Sequence, residues 1–274
     1  MKVGVSMSRL QSRLLFNETI VREYSDGVHR KWKFCIMKAV RNGGYEEERE
    51  PIIRSERGEA NDGKLSNNIV RARTTIFELA FCNSWEWFFT GTLDPEKFDR
   101  GNLPNFHKVF TQWLRNYGKK YGIKINFLIV PELHSDGKNW HLHGLLSGLP
   151  VEHLHQFQMG DKMGAGLAIK VKRGDIVYDW GAYRDKFGWC DVEEVRSHEA
   201  VSKYMTKYVT KDLGHSVSAL GSHLYYCSRG LNRSAMVKRG TMTADIVPDF
   251  RNDYCQIKWV DDEREAQYLI DTIL

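Results

Sequence analysis

Two apolar runs separated by a polar turn constrain this chain most: Lys124–Val130 (KINFLIV), then HSDGKN, then Trp140–Ser147 (WHLHGLLS). Runs rich in Ile, Val, Leu and aromatics with Gly, Asp, Asn and Ser between them read as an antiparallel hairpin. Upstream, Trp85–Thr92 (WEWFFTGT) is a further strand, ended by Asp94-Pro95. From Asn105 to about Lys120 the residues Phe106, Val109, Phe110, Trp113, Leu114 and Tyr117 recur as one face of an amphipathic helix, with Lys108, Arg115, Lys119 and Lys120 elsewhere. Downstream, Gly188–Val195 predicts a strand, His198–Asp212 a helix and His223–Ser228 a last strand. Together these predict an α+β fold, a central antiparallel sheet of about five strands with helices packed on it.

The flanks are less patterned. Residues 1–65 are polar apart from a strand around Lys31–Val40, and Arg41–Lys64 reads as a mobile connection. A helix is expected from Ser66–Asn68, capped by Ser or Asn, through Cys82, and a short one after Pro150; residues 160–185 read as strand fragments and loop. The expected division is an extension over residues 1–80, a functional domain over 81–240 and an acidic segment over 241–274. That last segment, with eight acidic residues against three basic ones, is net negative in a chain of net charge +5. The body is therefore strongly basic and suits a polyanionic partner such as nucleic acid. The five cysteines never fall in CxxC spacing, which argues against a disulfide framework or a structural zinc site. The first residues lack the apolar core of a secretory signal, and no apolar run reaches the ~20 residues of a membrane span, so a cytoplasmic protein is expected.

Two clusters carry chemistry. On a strand, His141 and His143 point to the same face and can grip one metal ion together. His153 and His155 share that spacing, but in a helix after Pro150 they would diverge by roughly 200°. Glu132, on the partner strand, returns toward His141 and His143, and two imidazoles with one carboxylate make an open rather than a closed site; His134 is a rival third ligand. The second cluster is Tyr204-Met205-Thr206-Lys207-Tyr208. On a helix the two tyrosines lie one turn apart, an arrangement that also suits an ordinary core stripe with Val201 and Met205. Lys203, Lys207 and Lys211 form an adjacent basic stripe, either solvated or set against phosphates. Tyrosine, with a pKa of about 10, needs a cation or metal nearby to serve as a nucleophile.

The three motifs in order resemble those of the HUH endonuclease superfamily, named for His–hydrophobic–His. Within it the chain is similar to rolling-circle replication initiators. Phe88–Pro95 (FFTGTLDP) resembles the first motif, Pro131–Leu146 (PELHSDGKNWHLHGLL) the second and Tyr204–Lys211 (YMTKYVTK) the third. The third is similar in particular to the two-tyrosine helix of the gene A proteins of icosahedral single-stranded DNA phages. The resemblance covers about residues 85–230. It implies an HUH-like fold, with His141, His143 and Glu132 holding Mg²⁺ or Mn²⁺, Tyr204 and Tyr208 as nucleophiles, and Lys207 near phosphate or metal. It further implies transesterification on single-stranded DNA at a replication origin through a 5′-phosphotyrosine, with a host helicase and polymerase, in a bacterial or phage-infected cell. Tyr204 is expected to act first, because it supplies the YxxK pattern shared with one-tyrosine relatives.

Other signals are weaker. Gly58–Leu65 (GEANDGKL) nearly spells a phosphate loop, but Leu65 stands where a hydroxyl is needed, and Glu59 and Asp62 would repel phosphate. Tyr225 and Tyr226 would face opposite ways on a strand and suit packing. Arg229 and Arg233, with Lys238 and Arg239, are candidates for gripping DNA phosphates, as more weakly are Arg71 and Arg73. A two-tyrosine transposase or a relaxase would share the chemistry, but the short chain and YxxKY favour the initiator. A metallohydrolase of the HxHxDH kind needs an Asp where Leu145 stands. A non-catalytic sequence-specific DNA-binding protein on a decayed nuclease fold predicts lost tyrosines or ligands, and all are present.

Overall fold

The structure, a computed structural model, describes residues 14–15, 18–37, 40–41, 62–134, 139–209, 223–252 and 255–274. In chain order the elements are β1 (Leu14–Leu15), β2 (Glu18–Ser25), β3 (Arg30–Met37), β4 (Val40–Arg41), α1 (Asp62–Phe81), β5 (Trp87–Thr92), α2 (Leu103–Tyr121), β6 (Asn126–Leu133) and β7 (Trp140–Ser147). There follow β8 (His155–Gln156), α3 (Ala165–Arg173), β9 (Tyr178–Asp179), α4 (Gly181–Lys186), β10 (Cys190–Glu194), α5 (His198–Thr206), β11 (Tyr226–Cys227), β12 (Ala235–Thr241), β13 (Phe250–Arg251), β14 (Cys255–Val260) and α6 (Glu263–Asp271). The expected α+β class holds, with antiparallel sheets of seven and five strands and six α-helices among the described residues. Most of the connection 41–64, the hairpin-turn residues 135–138 and Lys211 lie outside the described residues.

The chain forms two compact units, one of residues 56–231 and one of residues 1–55 with 232–274. The expected boundaries at 80/81 and 240/241 fall inside α1 and β12 rather than between units.

The unit of residues 56–231 is built on a seven-stranded sheet in the order β11-β6-β7-β5-β10-β9-β8. Its four longer strands form the centre, and the two-residue strands at the edges raise the number above the five expected. Strand alternation sorts the side chains. Trp87, Phe89, Phe127, Ile129, Trp140, Leu142 and Leu146 share one face and are buried. Against that face lies α2, which buries Leu103, Phe106, Phe110, Leu114 and Tyr117, with Phe110 edge-on to Phe127 at 5.4 Å between ring centres. Burial of each such large ring contributes about 1.5–3 kcal/mol. Asn102 Oδ1 caps the helix by accepting from Asn105 N–H, and Gly122 ends it in the left-handed conformation.

Several expectations are corrected. Residues 160–185 hold the helices α3 and α4 with β9 between them, not strand fragments. No residue of α3 is buried, so its sequence carries no apolar stripe to announce a helix. Helix α1 begins at Asp62, ahead of the expected cap at Ser66–Asn68. Helix α5 stops at Thr206 instead of running to Asp212, and closes with a turn in which Lys207 N–H donates to the Tyr204 carbonyl.

In the other unit the five strands run β12-β2-β3-β14-β13, and α6 packs Ala266, Leu269 and Ile270 with Val21, Trp32, Phe34 and Val260. The acidic C-terminal segment has structural work here. Asp262 caps α6, Glu263 and Glu265 sit in its first turn, Asp261 pairs with Lys31 at 3.1 Å and Glu263 with Arg30 at 2.9 Å. No helix among the described residues is long and apolar enough to cross a membrane.

Candidate functional site

The second face of the seven-stranded sheet changes character along its length. Leu128 and Leu145 are fully buried at one end; Glu132, His141, His143 and Thr90 occupy the other. The register explains the grouping. Glu132 lies directly opposite His141 across the hairpin, and Thr90 lies opposite His143 on the other side. β6 runs to Leu133, beyond the expected end at Val130, and this carries Glu132 into the sheet. Its carboxylate stands 2.7 Å from His143 Nε2. The His134 ring stacks on that of His141, 4.9 Å between centres, so the rival ligand also borders the cluster.

Burial lowers the His143 pKa and the His141 and Lys207 charges assist, outweighing the opposing pull of Glu132. The neutral imidazole that results is the form a metal ligand requires. His143 Nδ1 is buried without a hydrogen-bond partner among the described residues, leaving Nε2, beside Glu132, as its one nitrogen in polar company. Two imidazoles and a carboxylate on one rigid sheet face are a donor set that fits a divalent ion with open positions.

α5 lays the tyrosines over this cluster. Ser197 Oγ caps it by accepting from Ala200 N–H, and Met205 and Ser202 face inward. α1 packs along α5, and Arg73 Nε donates 2.8 Å to the Val209 carbonyl just past the helix end. Arg73 is thus a brace for the tyrosine segment. Tyr208 falls one turn beyond Tyr204, just after the helix, and its ring lies flat on His143, 3.8 Å between centres and 6° between planes. Tyr204 meets Tyr208 edge-on at 5.3 Å and Phe88 at 5.5 Å. Lys207 folds back so that Nζ sits 3.8 Å from the centre of the Tyr204 ring and 5.3 Å from that of Tyr208.

The two phenols are driven apart. Burial would raise the Tyr204 pKa, yet hydrogen bonds with Lys207 and Tyr208 and the Lys207 charge outweigh burial and the repulsion of Glu132, and the value falls below that of free tyrosine. Burial first, then the hydrogen bond to and charge of Tyr204, push the Tyr208 phenol far upward. Tyr204 is 41% exposed and Tyr208 only 5%.

The other candidates are dispersed. Lys203 is exposed and paired with Glu199 at 2.8 Å. Arg229 is exposed at the end of β11, and Arg233 belongs to the other unit. His153 Nδ1 bonds the Tyr117 hydroxyl at 2.9 Å and His155 bonds Asp161 at 3.1 Å, so these two histidines have separate partners. Tyr226 is buried and stacked on His107, in line with a packing role. Sequence reasoning missed Asp191 and Glu193 on β10, which share the site's face and hold Lys170 of α3 at 3.5 and 2.7 Å. Burial raises the Asp191 pKa despite that lysine. Their i, i+2 spacing on a strand was the available signal.

Residues 86–213 match the family model of the ORF2-type replication-associated proteins, a stretch just under half of the chain. It contains every residue of the His–Glu–Tyr–Lys cluster and supports a replication-initiator role. Neither the curated proteins nor the solved structures contain a significant match.

Proposed function

We propose that this chain initiates rolling-circle replication by nicking and rejoining single-stranded DNA through a phosphotyrosine, as an enzyme of the HUH kind. One observation carries the reading: two phenols, an ammonium group and an imidazole–carboxylate pair converge on one sheet face, with Tyr208 stacked at 3.8 Å on His143 and Lys207 Nζ 3.8 Å from the Tyr204 ring centre. His141, His143 and Glu132 are the residues that would hold Mg²⁺ or Mn²⁺. Such an ion would supply charge neutralisation at the scissile phosphate.

The chain's own groups do the rest. Lys207 favours the Tyr204 phenolate, and the Tyr208 hydroxyl, held protonated, donates to the Tyr204 oxygen. Tyr204, the exposed phenol, is the first nucleophile. Its oxygen bonds to phosphorus, the bond from phosphorus to the 3′-oxygen breaks, and that oxygen takes up a proton to become a free 3′-hydroxyl. The 5′ phosphate remains on Tyr204. The energy of the phosphodiester is retained in the new ester, so rejoining by a 3′-hydroxyl needs no nucleotide hydrolysis. For Tyr208 to attack in a later round, its ring must leave the His143 stack. The match to replication-associated proteins favours replication over transposition or conjugation as the setting. The basic body suits single-stranded origin DNA, and a separate host helicase and polymerase would open the duplex and extend the 3′ end.

The test is a denaturing gel of the purified chain incubated with labelled single-stranded oligonucleotides of random sequence and Mn²⁺. A covalent protein–DNA adduct that needs metal and His143, and disappears when Tyr204→Phe and Tyr208→Phe are combined, is expected. Tight binding indifferent to metal, with no adduct on any sequence, would instead leave a DNA-binding protein without nicking chemistry.

A further inference from the structure

We infer that the cleft between α2 and the β6–β11 edge binds the phosphate backbone of duplex DNA, away from the tyrosines. The inference rests on the nucleic-acid reading but not on the nicking chemistry. The cleft encloses about 510 Å³ and is lined by Arg115, Lys119, Lys124 and Arg229 without any acidic residue. Among the described residues none of these four cations has a carboxylate partner, and Arg115 bonds only the neutral Gln112. Lys119 falls in the last turn of α2, where the helix dipole already favours a cation. Arg115 lies a turn earlier, Lys124 beyond the helix and Arg229 on another segment, so the dipole does not account for them. Four unneutralised cations around one concavity repel one another and are favoured when an anion lies between them. Thr111 Oγ1 lines the same cleft, buried and without a hydrogen-bond partner among the described residues, and can donate to a phosphate oxygen.

Shape and chemistry select the occupant. From His107 to Gly118 the lining face of α2 extends about 16 Å at the helical rise, longer than one phosphate group needs. Sites for single strands add exposed aromatic rings on which bases stack. Here Phe127 is buried and His107 is already stacked on Tyr226 at 4.3 Å, so no ring is offered. A backbone whose bases are turned inward, that of a duplex, fits cations without a stacking platform. Asn126 in the cleft and Glu132 in the tyrosine site stand at opposite ends of β6, about 20 Å apart at the strand rise. That separation matches a protein that holds duplex flanking the single strand it cuts.

The experiment measures anisotropy of a labelled mixed-sequence duplex, and of one of its strands alone, against the full chain across a salt series. Arg115→Ala, Lys119→Ala and Lys124→Ala are made singly and together. All three sites are exposed, and circular dichroism melting checks the fold of each variant. Each change should weaken duplex binding and flatten the slope of log K against log salt by about one, the triple variant by about three with at least a tenfold loss of affinity. Adduct formation on short single strands should be unchanged. A triple variant with the parent's duplex affinity and salt slope overturns the inference. Equal losses on duplex and single strand overturn the choice of duplex. An absence of adduct in the parent chain would sink the nicking reading while leaving this result to stand or fall on the duplex titration.

Discussion

The two faces of the seven-stranded sheet are made by the same strands and have opposite tasks. Toward α2, every second residue is a large apolar group and the face is sealed, with Phe89, Phe106, Phe110 and Leu142 almost wholly buried. Toward α5, the intervening residues begin apolar and end as Glu132, His141, His143, Thr90 and Asp191. The comparison teaches that one set of strands can be committed to stability on one side and to chemistry on the other, because alternation lets neighbouring positions vary independently. It follows that damage to the first face should appear in folding, and damage to the second in reaction.

The largest effect should come from the chemical face. Tyr204→Phe with Tyr208→Phe should remove the covalent adduct altogether while thermal unfolding moves little, since both rings remain. A double variant that unfolds at lower temperature by as much as a core truncation would break the division between faces. Next, Phe110→Ala should cost about 3–5 kcal/mol in urea unfolding, the range for truncating a buried aromatic ring. Adduct yield from the fraction still folded should match the parent.

Gly144 sharpens the boundary, since it follows His143 but points to the apolar face. A Cβ there would meet Ile129 Cγ1 at 2.8 Å and the Leu128 carbonyl at 3.0 Å. Gly144→Ala should therefore destabilise the hairpin by roughly 1–3 kcal/mol. Loss of adduct without loss of stability in that variant would mean that the glycine serves the site and not the packing.

The pH dependence should follow Tyr204. Lys207 and Tyr208 hold its phenol below the ordinary tyrosine value against burial and Glu132. The rate of adduct formation should therefore rise with pH through a midpoint below about 10. Lys207→Met removes the cation that favours the phenolate, so the midpoint should move upward; an unchanged pH profile would remove Lys207 from the chemistry. The smallest effect is expected at Lys203, whose exposed pairing with Glu199 is worth only about 0.3–0.5 kcal/mol; Lys203→Ala should alter neither unfolding nor adduct yield appreciably.

The features legible in the sequence were those with strong local periods. The hairpin strand Trp140–Ser147 has the expected bounds, and α2 extends the expected helix by only a few residues because its apolar stripe is long and regular. The pairing of Glu132 with the histidines was legible as well, since hairpin register follows from the two strands and their turn. Less legible were α3, which buries nothing and so has no stripe, and the early end of α5, where Thr206 Oγ1 turns back to the Lys203 carbonyl. Equally hidden was the union of residues 1–55 with 232–274, because pairing β12 with β2 joins segments over 200 positions apart.

By itself, the sequence determined which side chains share a face: His141 with His143 by the period of a strand, Tyr204 with Tyr208 by the turn of a helix. Local backbone geometry is enough for that. Only the tertiary structure decided that Tyr208 is sealed on His143 while Tyr204 remains exposed, that Lys207 folds over both rings, that Arg73 braces Val209 from another helix, and that four cations gather around a cleft on α2. Burial and charge environment are sums over neighbours brought from distant parts of the chain, and two tyrosines four residues apart acquire opposite pKa shifts because those neighbours differ.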